Sequence, residues 1–257
     1  MVEEKFALAA SNPRDPVIIA LYEAQAEHRE LGTHSHARGQ LSGLRRGLLT
    51  MGTEAGAWIV PADHAVWLPP HHRHYGWTHG AIEAWSCYVA EPACVSLPTS
   101  PCTIRTSGLL REAVMRASDW QGDSLDEEQW HVAMVILNEL RTAPVKPFGL
   151  PMPRDPRLAL IARALLDDPG DRRGIGEWAD WAGISERTAS RRFVLETGFT
   201  YTAWRQRARL MRALEMLAEG QAVTNVALDL GYDSVSAFIA LFKRTLGVTP
   251  TAYFQRG

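Results

Sequence analysis

The chain has 257 residues, 46% hydrophobic and 22% charged, with 27 Lys and Arg against 29 Asp and Glu. That length holds two domains with cores of their own, and the composition excludes a disordered or fibrous chain. No run of 18 apolar residues is present, so no membrane-crossing helix is expected, and Cys87, Cys94 and Cys102 lack the spacing of a disulfide framework or a zinc site and read as reduced cytoplasmic thiols.

The opening Met1-Val2-Glu3-Glu4-Lys5 is acidic, and residues 6–10 are too short for an export core, so no secretory signal is expected and the location reads as cytoplasmic. Residues 17–22, 57–60, 65–68 and 82–89 are short apolar or alternating runs separated by Gly, Pro, Asp and His, which predicts a small barrel or sandwich. Between the first two runs lies His34-Ser35-His36-Ala37-Arg38-Gly39-Gln40, followed by Gly47. Alternation on a strand points His34, His36 and Gln40 to one face. A second cluster, Pro69-Pro70-His71-His72-Arg73-His74, follows later.

These two stretches resemble the paired motifs of the cupin superfamily: His-x-His, three residues, an acidic ligand, six residues and Gly, then Pro-x-Gly-x-x-His. The resemblance implies His34, His36, Gln40 and His74 as metal ligands. Gln40 stands where cupins commonly carry Glu, and His71 where they carry Gly. Losing the carboxylate removes a negative charge from the site, yet three imidazoles suit one divalent zinc, nickel, copper or iron ion. The alternative is a metal-free barrel whose histidines line an effector pocket together with Trp58, Trp67, Tyr75, Trp85 and Tyr88.

Residues 107–117 and 124–141 return to helical spacing. In the second, Trp130, Met134, Leu137 and Arg141 form one row, which serves either a dimer contact or packing onto the chain's own barrel. Five prolines between positions 142 and 156 then hold the backbone extended as a linker. The predicted domains are a cupin-like sensor over 1–103, a helical dimerisation segment over 104–141, the linker over 142–156 and a helical domain over 157–257. Charge divides the same way: residues 1–141 carry 11 Lys and Arg against 17 Asp and Glu, whereas residues 157–257 carry 14 against 11. A mildly basic second half suits phosphate contact.

Within that half Ala179, Gly183, Ser185, Phe193 and Gly198 correspond to Ala227, Gly231, Ser234, Phe242 and Gly247, at an offset of 48 and then 49 residues. A helix, a turn opened by Gly and a second capped helix make a helix-turn-helix, present here twice. The pair resembles the C-terminal DNA-binding domain of the AraC/XylS family of transcription regulators. The fold class implied is α+β in two domains, a cupin-like β-barrel with trailing helices and an all-α domain with two helix-turn-helix units.

The resemblance implies a sequence-specific regulator rather than an enzyme. Its partners would be double-stranded DNA, a small-molecule or metal effector, a second copy of the chain in a homodimer and RNA polymerase, with no membrane. Recognition helices present Glu186, Arg187, Ser190 and Arg191 to bases from the first unit, and Val235, Ser236 and Ile239 from the second. Arg205 and Arg209 on the connecting helix, with Lys243 and Arg244, are the expected phosphate contacts. Two other readings stay open: a metal-dependent cupin enzyme fused to a DNA-binding domain, and a regulator whose barrel serves only dimerisation.

Overall fold

The computed structural model describes residues 12–26, 30–54, 56–60, 64–122, 124–146 and 149–254. The opening residues, on which the reading of an export signal turned, and Pro147-Phe148 of the linker lie outside them. The chain divides into two compact units, Met1–Gly149 and Leu150–Gly257.

The first unit is built on two long antiparallel strands, β3 (Gly39–Thr53) and β6 (His74–Val89). β1 (Ile18–Gln25) and β2 (Glu30–His34) pair with β6, while β4 (Gly56–Val60) and β5 (His64–Leu68) pair with β3. The sheet continues through β7 (Cys102–Arg105) to β8 (Val145–Lys146). β3 changes partner from β5 to β4 across a bulge, where the register to β6 shifts between Leu44 and Leu48. Gly47 makes the bulge possible: its φ is 90°, and a Cβ there would lie 2.6 Å from the Ala81 carbonyl oxygen.

Among the described residues the strand order β1-β6-β3-β5-β7-β8 does not return on itself. Where a barrel is expected from the sequence, the described strands form an open sheet, because β1 and β8 at the ends of that order do not pair. His34, His36 and Gln40 also differ from expectation: His34 ends β2, Gln40 belongs to β3, and His36 lies in the connection between them.

Alternation assigns the two faces of the sheet. Leu41, Trp67, Trp85, Cys87 and Val89 pack with Leu110 and Val114 of α1 (Gly108–Ser118) and Ile136 and Leu140 of α2 (Glu127–Thr142) in one core. Each fully buried large side chain contributes roughly 2–3 kcal/mol. Asp126 caps α2 in a reciprocal pair with Gln129. The stripe of α2 that is buried is Ala133, Ile136 and Leu140; Met134 and Leu137 flank it, and Trp130 is 48% exposed. The linker is shorter than expected, since Val145 and Lys146 add a strand to β7 and Asp155 already caps α3 (Pro156–Asp167). β9 (Gly149–Pro151) spans the boundary between the units.

In the second unit α3 is followed by α4 (Ile175–Trp181), α5 (Glu186–Thr197), the connector α6 (Tyr201–Ala218), α7 (Val223–Asp229), α8 (Val235–Leu246) and α9 (Pro250–Phe254). Leu158, Ile161 and Leu165 of α3 are fully buried with Trp178, Phe193 and Trp204.

Candidate functional site

The two histidine motifs converge in the first unit. His34 and His74 are cross-strand partners of β2 and β6, and the His71 amide donates to the His36 carbonyl at 2.8 Å, which fastens the second motif to the first. One ligand nitrogen from each of His34, His36 and His74 lies within 4.8 Å of the other two. His71 takes a left-handed backbone conformation, with φ of 62°, and its ring reaches Glu91 at 3.0 Å.

The three rings are oriented alike. Nδ1 of His34 lies 2.8 Å from Gly32 O, Nδ1 of His36 lies 2.7 Å from Arg38 O, and Nδ1 of His74 lies 2.8 Å from His72 O. A carbonyl can only accept, so each Nδ1 carries the proton and each neutral ring keeps its lone pair on Nε2. Burial lowers the pKa of His36 and takes that of His74 down to about 4, helped for His74 by its imidazole neighbours. Nε2 of His74 is buried without a hydrogen-bond partner.

This donor set fits a divalent transition metal: neutral imidazoles, each fixed through its second nitrogen, with one buried lone pair unused. His34, His36 and His74 would hold the ion. Gln40 is placed differently from a ligating carboxylate. Its Oε1 stands 2.9 Å from His36 Nε2, and its amide nitrogen donates to Ser42 Oγ, which is 3.0 Å from Ser86 Oγ. In this orientation Oε1 accepts from His36 Nε2, so freeing the Nε2 lone pair of a neutral His36 requires the amide to turn, with its nitrogen to the ring and its oxygen accepting from the Ser42 hydroxyl.

Two features escaped the sequence reading. Ser42 and Ser86, a cross-strand pair, continue a polar chain inward from His36. Arg38 is wholly buried and donates to the carbonyls of Asn12, Asp15 and Pro16, so it holds residues 12–16 beside the His36 turn; burial lowers its pKa to about 10. A charged residue between two expected ligands was the available signal.

The aromatic residues expected to line one pocket do not share one. Trp67 and Trp85 face the α1 and α2 core, where Gly39 and Gly43 give them room: a Cβ on either glycine would lie 2.2 Å from the indole. Trp58 belongs to a separate apolar cluster with Leu49 and Met51. Tyr75 is 36% exposed and stacks on Trp77. Tyr88 does join the histidines, meeting His36 edge-on at 5.3 Å. The pattern of alternation was readable in sequence, but not which face the helices cover.

The second unit repeats itself bond for bond. Gly183 and Gly231 have φ of 67° and 70°, and Ile184 and Tyr232 donate to Ala179 O and Ala227 O, each at 3.0 Å. Ser185 caps α5 by accepting from Thr188 N, Ser234 caps α8 by accepting from Ala237 N, and left-handed Gly198 and Gly247 end the two helices. Phe193 meets Trp204 edge-on at 5.6 Å and Phe242 meets Tyr253 likewise at 5.7 Å. Both phenylalanines are fully buried, which fixes the opposite faces of α5 and α8 outward.

On α5, Glu186, Arg187 and Arg191 are exposed and Ser190 is half-buried; Glu186 leans back towards Gly176 at the start of α4. On α8, Ser236 is exposed and Val235 and Ile239 are half-buried. Lys243 and Arg244 are exposed in the last turn of α8. Arg192 of α5 points inward, donating to Asp155 and to Glu196 Oε1, while Glu196 Oε2 accepts from the amides of Arg154 and Asp155.

Arg205 and Arg209 correct the expectation of phosphate contact. Arg205 donates to the carbonyls of Asp171 and Arg173, and Arg209 to those of Pro169, Gly170 and Asp171. Both guanidinium groups brace the loop between α3 and α4, because that loop offers a run of carbonyls that no helix satisfies.

The family model described as a helix-turn-helix domain matches residues 178–256. The chain is 34% identical over 224 residues to the HTH-type transcriptional regulator NimR of Escherichia coli K12, covering 87% of this chain and 82% of that protein. It is 30% identical over 122 residues to the HTH-type transcriptional regulator RipA of Corynebacterium glutamicum, covering 48% of this chain and 35% of that protein. A solved structure of ToxT from Vibrio cholerae aligns at 9% identity with a TM-score of 0.41, covering 93% of this chain and 97% of that one.

Proposed function

Because this chain belongs to the AraC/XylS family of DNA-binding transcription regulators, we propose that its first unit senses a divalent transition metal and that occupancy changes the affinity of the second unit for DNA. The observation that carries the sensing role is the common orientation of His34, His36 and His74, each with Nδ1 on a backbone carbonyl and with the buried Nε2 of His74 unpartnered. His34, His36 and His74 would hold the ion, which would supply a positive charge beside them. The protein's part is to keep the rings neutral and fixed. For occupancy to alter DNA binding, the ion must favour one arrangement of the chain over another.

In this reading Arg187 and Arg191 read base edges, with Glu186 and Ser190 beside them, and α8 contributes apolar contacts through Val235 and Ile239 and a hydroxyl through Ser236. Lys243 and Arg244 anchor phosphate. A homodimer, joined through the half-exposed Trp130 row of α2, would read two copies of the site, and RNA polymerase would be the partner at the promoter.

The test is fluorescence anisotropy of the full chain on DNA selected from a random duplex library, comparing chelator-treated protein with protein given zinc, nickel, copper or iron. The reading expects a metal-dependent shift in affinity that His34→Ala and His74→Ala abolish. Tight, salt-sensitive binding indifferent to every metal would keep the regulator and remove the metal.

A further inference from the structure

The loop Pro169–Arg173 lies between two helix-turn-helix units that a single connector would otherwise hold together only through its ends. Its backbone is in direct contact with the turn of the second unit. A Cβ on Gly231 would lie 2.6 Å from Gly170 O, and one on Gly170 would lie 2.6 Å from Asp229 O, so both positions require glycine. The loop leads straight into α4, and Arg173 at its end stacks 3.6 Å over the Trp178 ring of that helix.

Arg209 of α6 grips this junction from both sides. Its guanidinium donates to Pro169 O at 2.7 Å, Asp171 O at 3.1 Å and Gly170 O at 3.4 Å, and its Cζ lies 5.6 Å from the centre of the Tyr232 ring. The Tyr232 hydroxyl is buried without a hydrogen-bond partner, so the ring is held here by its face. Tyr232 also closes the turn before α8, through its amide bond to Ala227 O, and packs on Phe238. One side chain thus connects the entry to α4 with the turn that aims α8.

We infer that Arg209 is a positioning residue that fixes the separation of the two recognition helices, by clamping the Pro169–Asp171 loop onto the Gly231-Tyr232 turn, and thereby sets the spacing of DNA half-sites the protein accepts. The inference rests on the reading that α5 and α8 both enter DNA. Successive major-groove segments recur every 10–10.5 base pairs, so each base pair of spacing turns one half-site by about a tenth of a turn. A rigid pair of helices discriminates sharply against that error; a pair joined only through α6 tolerates it.

The experiment starts from duplexes selected from a random library by the full-length wild type, then varies the number of base pairs between the two half-sites. Binding is measured for the wild type, Arg209→Met and Gly170→Ala at several salt concentrations. The wild type is expected to lose about tenfold or more in affinity for one base pair added or removed, and both variants to lose less than about threefold, with the bases preferred inside each half-site unchanged. Gly170→Ala disturbs the same junction without removing a charge, so it decides the matter if Arg209→Met does not fold. A phosphate contact predicts a different result for Arg209→Met: a salt slope smaller by about one, with the spacing profile intact. An unchanged spacing profile in the folded variants overturns the inference alone. Selection of an undivided site by the wild type overturns the two-helix reading and the inference with it.

Discussion

His34 and His74 face each other across β2 and β6, with ring centroids 4.3 Å apart and planes tilted by 58°. Each ring is tied to the carbonyl two residues before it, Gly32 and His72, so the pair is posed by its own strands and not by a ligand. The histidines are therefore preorganised at a cost that stability measurements can detect.

Replacing His74 by Leu removes a buried, unpartnered Nε2 but also the Nδ1 bond to His72 O, so two effects of about 1 kcal/mol each offset, and the chelator-treated protein is expected to keep its stability while losing metal binding. Thermal unfolding with and without chelator, beside metal titration, checks both halves. A markedly lower melting temperature for His74→Leu in chelator would mean that the ring is kept for its packing and its Nδ1 bond.

Stability of the metal-free protein is expected to decline as pH falls from 6.5, where the unfolded imidazole begins to protonate, to about 4, where His74 does so in the fold. The folded pKa is depressed, so the unfolded chain holds the extra proton throughout that window. The loss amounts to roughly 3 kcal/mol at most, with no effect above the window. Urea unfolding at several pH values reads it, and His74→Leu should flatten the slope.

His71 occupies a left-handed conformation that its side chain disfavours. His71→Val should cost about 1–2 kcal/mol, because a β-branched residue is poorer still there, whereas His71→Gly should be neutral or slightly stabilising. The exposed pair with Glu91 at 3.0 Å weighs little against this. Denaturation midpoints should place His71→Val below the wild type and His71→Gly at or above it; a His71→Gly variant as unstable as His71→Val would show that the histidine ring itself is needed.

Neighbouring arginines on α5 should behave oppositely. Arg187→Ala and Arg191→Ala are expected to cost about 1–3 kcal/mol at the preferred base pair and to relax sequence preference, with the melting temperature kept. Arg192→Met leaves Asp155 and Glu196, whose side chains are 6% and 11% exposed, with their backbone amides and Arg157 but without this charged partner, and should cost about 1–2 kcal/mol of stability with base preference unchanged. Burial pushes both carboxyls up, but the Arg157, Asp155 and Arg154 amides and the arginines outweigh it and hold them below their ordinary values. Their contribution is thus present above the ordinary carboxylate pKa and is lost as pH falls through the depressed one. Binding to a mutated-site panel, paired with acid unfolding, separates the two roles.

What was legible in sequence was local. Gly183 and Gly231 demand a positive φ, Ser185 and Ser234 cap the helix three residues ahead, and Phe193 and Phe242 fall at helical spacing; none of these needs a distant partner, so the duplicated helix-turn-helix could be placed from residues alone. The histidines were legible as a set through their spacing, though not as two strand ends joined by a turn. Tertiary structure decided the rest, because a side chain's role depends on which groups arrive beside it. Arg205 and Arg209 form a plausible phosphate stripe until the carbonyls of residues 169–173 fold across them. Trp67 and Trp85 could line a pocket until α1 and α2 cover their face of the sheet. Periodicity assigns a residue to a face, and long-range packing determines whether that face meets solvent, ligand or core.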